Sequence, residues 1–121
     1  MEDPFNLSRF VEAQETVYVS VLRELASGQK TGHWMWFIFP QLKGLGHSAM
    51  SQKYAISSEA EAEAYLNHPI LGPRLVECTR LVHRTRLKFD YPDNLKFKSS
   101  MELFAAAAKS IHKYNGEFHE D

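Results

Sequence analysis

Apolar side chains recur at helical spacing through most of this chain. From Ser8 to Ala26, Phe10, Val11, Val17, Val21, Leu22 and Leu25 fall near one stripe, while Arg9, Glu12, Glu15, Arg23 and Glu24 lie mostly off it. The spacing predicts one amphipathic helix, with Gly28 as its C-cap. Residues 33–40 break the pattern. Trp34, Met35, Trp36, Phe37, Ile38 and Phe39 point apolar side chains in every direction of a helical projection. Only Ile38 is β-branched, which weakens a strand reading, so a short helix enclosed by other elements is expected. Pro40 and the pair Gly44/Gly46 end it and open a loop.

Downstream, Ser48 is placed to cap one or two helical turns reaching Ala55. Ser58 and Glu61 read as a capping box ahead of a helix to about Asn67. Pro69 and Pro73 mark the start of a helix that carries Leu71, Leu75, Cys78, Thr79 and Val82 to about Arg86. The turn cluster Asp90–Asn94 follows. Asp93 is expected to cap a last helix through Ala108, with Phe97, Met101, Phe104 and Ala105 buried. No segment alternates for long. The prediction is an all-α single domain over residues 1–121, with about five to six helices around the aromatic one. The core is expected over about residues 7–108, and the tail 109–121 to be partly frayed.

Composition narrows the function. A chain of 121 residues is one domain long and can bury one real core. Fourteen basic and fifteen acidic side chains leave a formal charge of −1. That balance excludes a broad nucleic-acid surface and an electrostatic membrane anchor, which both need clustered positive charge. Cys78 is the lone cysteine, which fits a reducing compartment. Met1-Glu2-Asp3-Pro4 lacks the basic start of a signal peptide, and the longest apolar run is too short to cross a bilayer. A soluble cytoplasmic protein is expected.

The run Lys30-x-x-His33-Trp34-Met35-Trp36-Phe37-Ile38-Phe39-Pro40-Gln41-Leu42-x-Gly44-Leu45-Gly46-x-Ser48 is highly specific. Further motifs follow: Ser51, Tyr54-Ala55-Ile56, His68-Pro69-x-Leu71-Gly72-x-Arg74-Leu75, Asp93-Asn94-Leu95-Lys96 and Ser99-Ser100-Met101. With Arg9-Phe10-Val11-x-Ala13-Gln14, they resemble the DUF1810 family over about residues 7–108. The resemblance implies the Rv1873-like all-α fold and no established substrate. Two departures stand out. The chain is shorter than its relatives between Cys78 and Asp93. After Ala108, where relatives continue into a further helix, it has the polar segment 109–121. That difference is expected to leave part of the core or of a pocket uncovered.

Four of the fifteen aromatics lie within His33–Gln41. Burying them gives on the order of 20 kcal/mol of gross stabilisation, which assigns Phe37, Ile38 and Phe39 to the core. Chemical interest falls on the flanks. Lys30 and His33 stand at the start of the expected helix, where free amides and the dipole favour an anion. Trp34, Trp36, Gln41, Gly44, Gly46, Ser48, Ser51 and Tyr54 are the candidate ligand-binding residues. Six histidines show no metal-ligand spacing, so no metal is expected, and nothing implies a cofactor. Cys78 lies on an apolar stripe, as an inert buried thiol would.

Three functions compete. The first is a module binding a small anionic or nucleotide-like ligand beside the aromatic run. The second is an enzyme on the same site, with His33 as general acid/base and Lys30 stabilising negative charge. The third is a protein-interaction or homo-oligomerisation domain. The sequence leaves open whether the protein is an enzyme.

Overall fold

The computed structural model describes residues 2–120. Its elements are α1 (Ser8–Glu15), α2 (Tyr18–Ser27), α3 (Met35–Ile38), α4 (Ala49–Lys53), α5 (Glu59–Asn67), α6 (Leu71–Thr85) and α7 (Asp93–Ile111). Extended pairing among the described residues is limited to one parallel bridge, Leu42 with Ile56. The all-α expectation holds. No helix among the described residues is long and apolar enough to cross a membrane.

α5 lies at the centre, packed against both α6 and α7, with Ala62, Tyr65 and Leu66 fully buried. α2 covers α6, and α1 and α7 enclose α3. The turn from α5 into α6 is tight. A Cβ on Gly72 would lie 2.1 Å from the Leu66 carbonyl oxygen, so only glycine fits there. Aromatic rings run through the core: Phe10 meets Tyr65 edge-on at 5.1 Å, Tyr65 meets Phe104 at 5.1 Å, and Phe39 meets Phe97 at 5.0 Å.

The single helix expected over residues 8–26 is two. Thr16 and Val17 are adjacent β-branched residues, poor helix formers, and Val17 leaves helical geometry at φ −122°. The stripes of α1 (Phe10, Gln14) and α2 (Val21, Leu25) happen to stay in phase across the break. The break lets α1 pack on α3 while α2 turns onto α6.

The aromatic helix is also shorter than expected, a single turn over Met35–Ile38. Such a turn cannot satisfy its own carbonyls. Gln14, 1% exposed, supplies the missing donor. Its Nε2 donates to the Phe37 carbonyl at 2.8 Å and to the Tyr65 hydroxyl at 3.2 Å, and its Oε1 accepts from Arg74 at 3.3 Å.

Ser48 caps α4, its hydroxyl accepting from the Ser51 amide at 3.1 Å. Ser58 caps α5 through the Glu61 amide at 3.2 Å. The Glu61 carboxylate, however, reaches the Ser57 amide at 2.8 Å instead of Ser58. Arg9 draws it there with an ion pair of 2.9 Å. Asp93 begins α7 one residue after the cap position at Pro92. Ala105 is exposed, and Ser100, Ala107 and Ala108 complete the buried stripe.

The tail packs where fraying was expected. α7 continues to Ile111, and Phe118 folds back to 5% exposure, 6.0 Å from the Phe104 ring. Arg80 grips the Glu117 carboxylate with both Nε (3.0 Å) and Nη2 (2.6 Å). The polar look of residues 109–121 concealed Tyr114 and Phe118, whose rings meet at 6.4 Å across a turn.

Removing the Gln14 amide should therefore cost more than its size suggests. Gln14→Ala is expected to lose about 2–4 kcal/mol in urea unfolding, through an unsatisfied carbonyl and a cavity. The exposed neighbour substitution Glu12→Ala should stay within about 0.5 kcal/mol of the parent. Equal effects would remove Gln14 from its central role.

Candidate functional site

The two tryptophans have different surroundings. Trp34 is 2% exposed, and its Nε1–H donates to Glu24 Oε1 at 3.1 Å. The same oxygen accepts from the amides of Thr31 (2.6 Å) and Gly32 (2.8 Å). A Cβ on Gly32 would lie 2.7 Å from Trp34 Cδ1, so the loop closes on the indole only because residue 32 is glycine. Burial works to raise the Glu24 pKa, but the amide bonds from Gly32 and Thr31 and the indole bond outweigh it, and the net direction is down.

Lys30 is part of this structural strap. Its Nζ donates to the Gly32 carbonyl at 2.6 Å, pairs with Asp93 Oδ2 at 2.9 Å and stands 5.0 Å from the Trp34 ring centroid. The small cavity that Lys30 lines, about 160 Å³, also presents Asp90 and Asp93. Those carboxylates suit it poorly to an anion. His33 is exposed. α3 is too short to lend it an effective helix dipole.

Trp36 lies on another wall. It lines a narrow cleft with Met35, Phe39, Gln41, Ser51, Tyr54 and Lys96. Four of the expected ligand residues, Trp36, Gln41, Ser51 and Tyr54, are thus brought together. Gly46 belongs with them: a Cβ there would lie 2.6 Å from Ser51 Oγ and 3.7 Å from Gln41 Nε2. Ser48 is one step removed, donating from its hydroxyl to Ser51 Oγ at 2.9 Å. Gly44 is apart: it takes a left-handed φ of 89° on the exposed loop, with nothing near its Cβ position. Lys30, His33 and Trp34 do not line the cleft.

Arg9 fixes the far wall. It donates to the carbonyls of Lys53 (2.8 Å) and Ala55 (2.8 Å) on either side of Tyr54. On the near wall the Lys96 ammonium lies 4.9 Å from the Trp36 ring centroid. Asp93 is 3.9 Å from that ammonium, with its other oxygen already on Lys30. Trp36 Nε1–H is buried and has no hydrogen-bond partner. The cleft has about 10 Å³ of free space, close to that of one water. Its lining, among the described residues, offers hydrogen bonds and one positive charge but no carboxylate or imidazole.

Lys96, Met35 and Phe39 were missed as cleft residues. Lys96 was not among the candidate ligand-binding residues. The signal was its place in the motif Asp93-Asn94-Leu95-Lys96. Cys78 is buried as expected, its thiol pushed up to about 12 chiefly by burial.

The fold and the site define an all-α domain with a narrow, largely apolar cleft beside its aromatic turn. The chain belongs to the DUF1810 family, described as a protein of unknown function, whose pattern it matches over residues 4–120. It is similar to the crystal structure of the conserved hypothetical protein Rv1873 from Mycobacterium tuberculosis. The identity is 54% and the TM-score 0.89, covering 96% of this chain and 84% of that one. No curated protein matches it.

The Glu24 strap makes a pH-dependent prediction. A carboxylate whose folded pKa is depressed stabilises the fold fully above its unfolded value, and that stability is lost as pH falls through the folded value. Glu24→Gln should cost about 1–2 kcal/mol at neutral pH. The gap to the parent should narrow below pH 4.5, the ordinary glutamate value. Thermal melts of both proteins across that range check it, since their other carboxylates are shared. A constant gap would contradict the assignment.

Proposed function

We propose that the domain binds a small anion in the Trp36 cleft. The carrying observation is the buried Trp36 Nε1–H, which has no partner, on a residue that lines a cleft together with Lys96. A buried donor left unpaired costs about 1–3 kcal/mol, and a ligand oxygen would recover it. Lys96 supplies the charge, held only loosely by Asp93 at 3.9 Å. Gln41, Ser51 and Tyr54 supply further polar contacts, and Met35 and Phe39 an apolar floor.

The free space of about 10 Å³ sets a condition: the Gln41 and Lys96 side chains must swing outward to admit more than one water. Neither is tightly fixed. Gln41 makes no side-chain hydrogen bond among the described residues, and the bond between Lys96 and Asp93 is long. Lys96 covers one face of the indole, so the reading favours recognition of an anionic group over stacking on that face. The catalytic alternative lacks support, because the expected base, His33, is outside the cleft.

Fluorescence titration with inorganic phosphate and with adenosine monophosphate tests the reading. A saturable change is expected for the parent and should vanish in Trp36→Phe, in which Trp34 remains as the reporter. Lys96→Gln should weaken the response about tenfold. Unchanged emission at millimolar ligand, or a response retained in Trp36→Phe, would refute it.

A further inference from the structure

A roomier cavity opens at the end of α6, between that helix and the tail. It measures about 540 Å³ and is lined by Val82, His83, Arg86, Leu87, Lys88 and Glu120. That volume falls in the range of small-molecule sites, about 300–1,000 Å³. We propose that it is a second ligand site, for a small organic dianion.

Charge is the first argument. Arg86 and Lys88 are exposed and have no ion pair among the described residues. Arg80, two turns earlier on α6, is bound to Glu117. His83 Nε2 is held 2.6 Å from the His119 carbonyl oxygen. Glu120 is the carboxylate on the wall, so basic groups outnumber it. Leu87, partly exposed, gives an apolar surface for the organic part, with Val82 buried behind it.

Backbone conformation is the second argument. Arg86 closes α6 in the left-handed region at φ 56°. The Leu87 amide donates to the Val82 carbonyl at 3.2 Å, as the Gln29 amide does to Glu24 at the end of α2. There the left-handed residue is Gly28, at φ 73°. A side chain costs about 1–2 kcal/mol in this conformation. His112 closes α7 in the same way at φ 54°, so the conformation alone names no ligand. What sets Arg86 apart is an unpaired guanidinium lining a cavity.

The pairing of guanidinium and ammonium suits a phosphomonoester or a dicarboxylate. Phenyl phosphate and succinate distinguish them in a titration followed by 15N–1H NMR at low salt. The amides of Arg86, Leu87 and Lys88 are expected to shift saturably below about 10 mM of at least one probe. Arg86→Gly is the decisive variant, because glycine fits the left-handed position. Its melting temperature should match or exceed that of the parent while affinity falls about tenfold or more. Lys88→Gln should also weaken binding. No amide shifts with either probe, shifts confined to the Trp36 indole, or unchanged affinity in Arg86→Gly would overturn the proposal.

Discussion

Gln14 carries an uncharged amide into the centre of the domain and there joins four helices. From α1 it donates to the Phe37 carbonyl in α3 and the Tyr65 hydroxyl in α5, and it accepts from Arg74 in α6. The aromatic turn depends on this. A four-residue helix with three of its residues buried has carbonyls its own turns cannot satisfy, and each one left unpaired away from water would cost free energy comparable to a lost hydrogen bond. Hydrophobic burial drives Met35, Phe37 and Ile38 inward, but burial has no direction. The amide supplies the direction.

Two further straps extend the same logic to the irregular segments on either side. Glu24 gathers the Thr31 and Gly32 amides with the Trp34 indole, and Lys30 ties that loop to the start of α7. Arg9 takes the Lys53 and Ala55 carbonyls and pairs with Glu61, which in turn holds Ser57. Between the straps the walls of the Trp36 cleft are fixed from outside. Two of its groups are weakly engaged: the Trp36 Nε1–H has no partner, and Lys96, 4.9 Å from the Trp36 ring, reaches only a long ionic contact with Asp93. The frame is held in place, and admission of a ligand depends on the Gln41 and Lys96 side chains moving.

Local signals in the chain were legible where the physics is local. Ser48, Ser58 and Gly28 act as caps, α6 follows its apolar stripe, and the aromatic run is core. The failures come from tertiary forces. The break at Thr16–Val17 was invisible because the stripes on both sides remain in phase. Lys30 resembled an anion-binding lysine until Asp93, distant in sequence, neutralised it. Phe118 is buried by a chain reversal that periodicity cannot register. Of the residues expected to flank a site, Trp36, Gln41, Ser51 and Tyr54 converge on one cleft. Lys30, expected before the run, lies outside the cleft, and Lys96, distant in sequence, lines it.

The central claim is that the two indoles have divided roles, Trp34 locked into the fold and Trp36 left open. Indole N–H resonances in a 15N–1H correlation spectrum report both directly, before and after addition of inorganic phosphate. The account predicts that the Trp36 signal moves saturably with phosphate. The Trp34 signal should hold still with phosphate and move only when pH falls far enough to protonate Glu24. A Trp34 signal that follows phosphate while Trp36 stays fixed would contradict it.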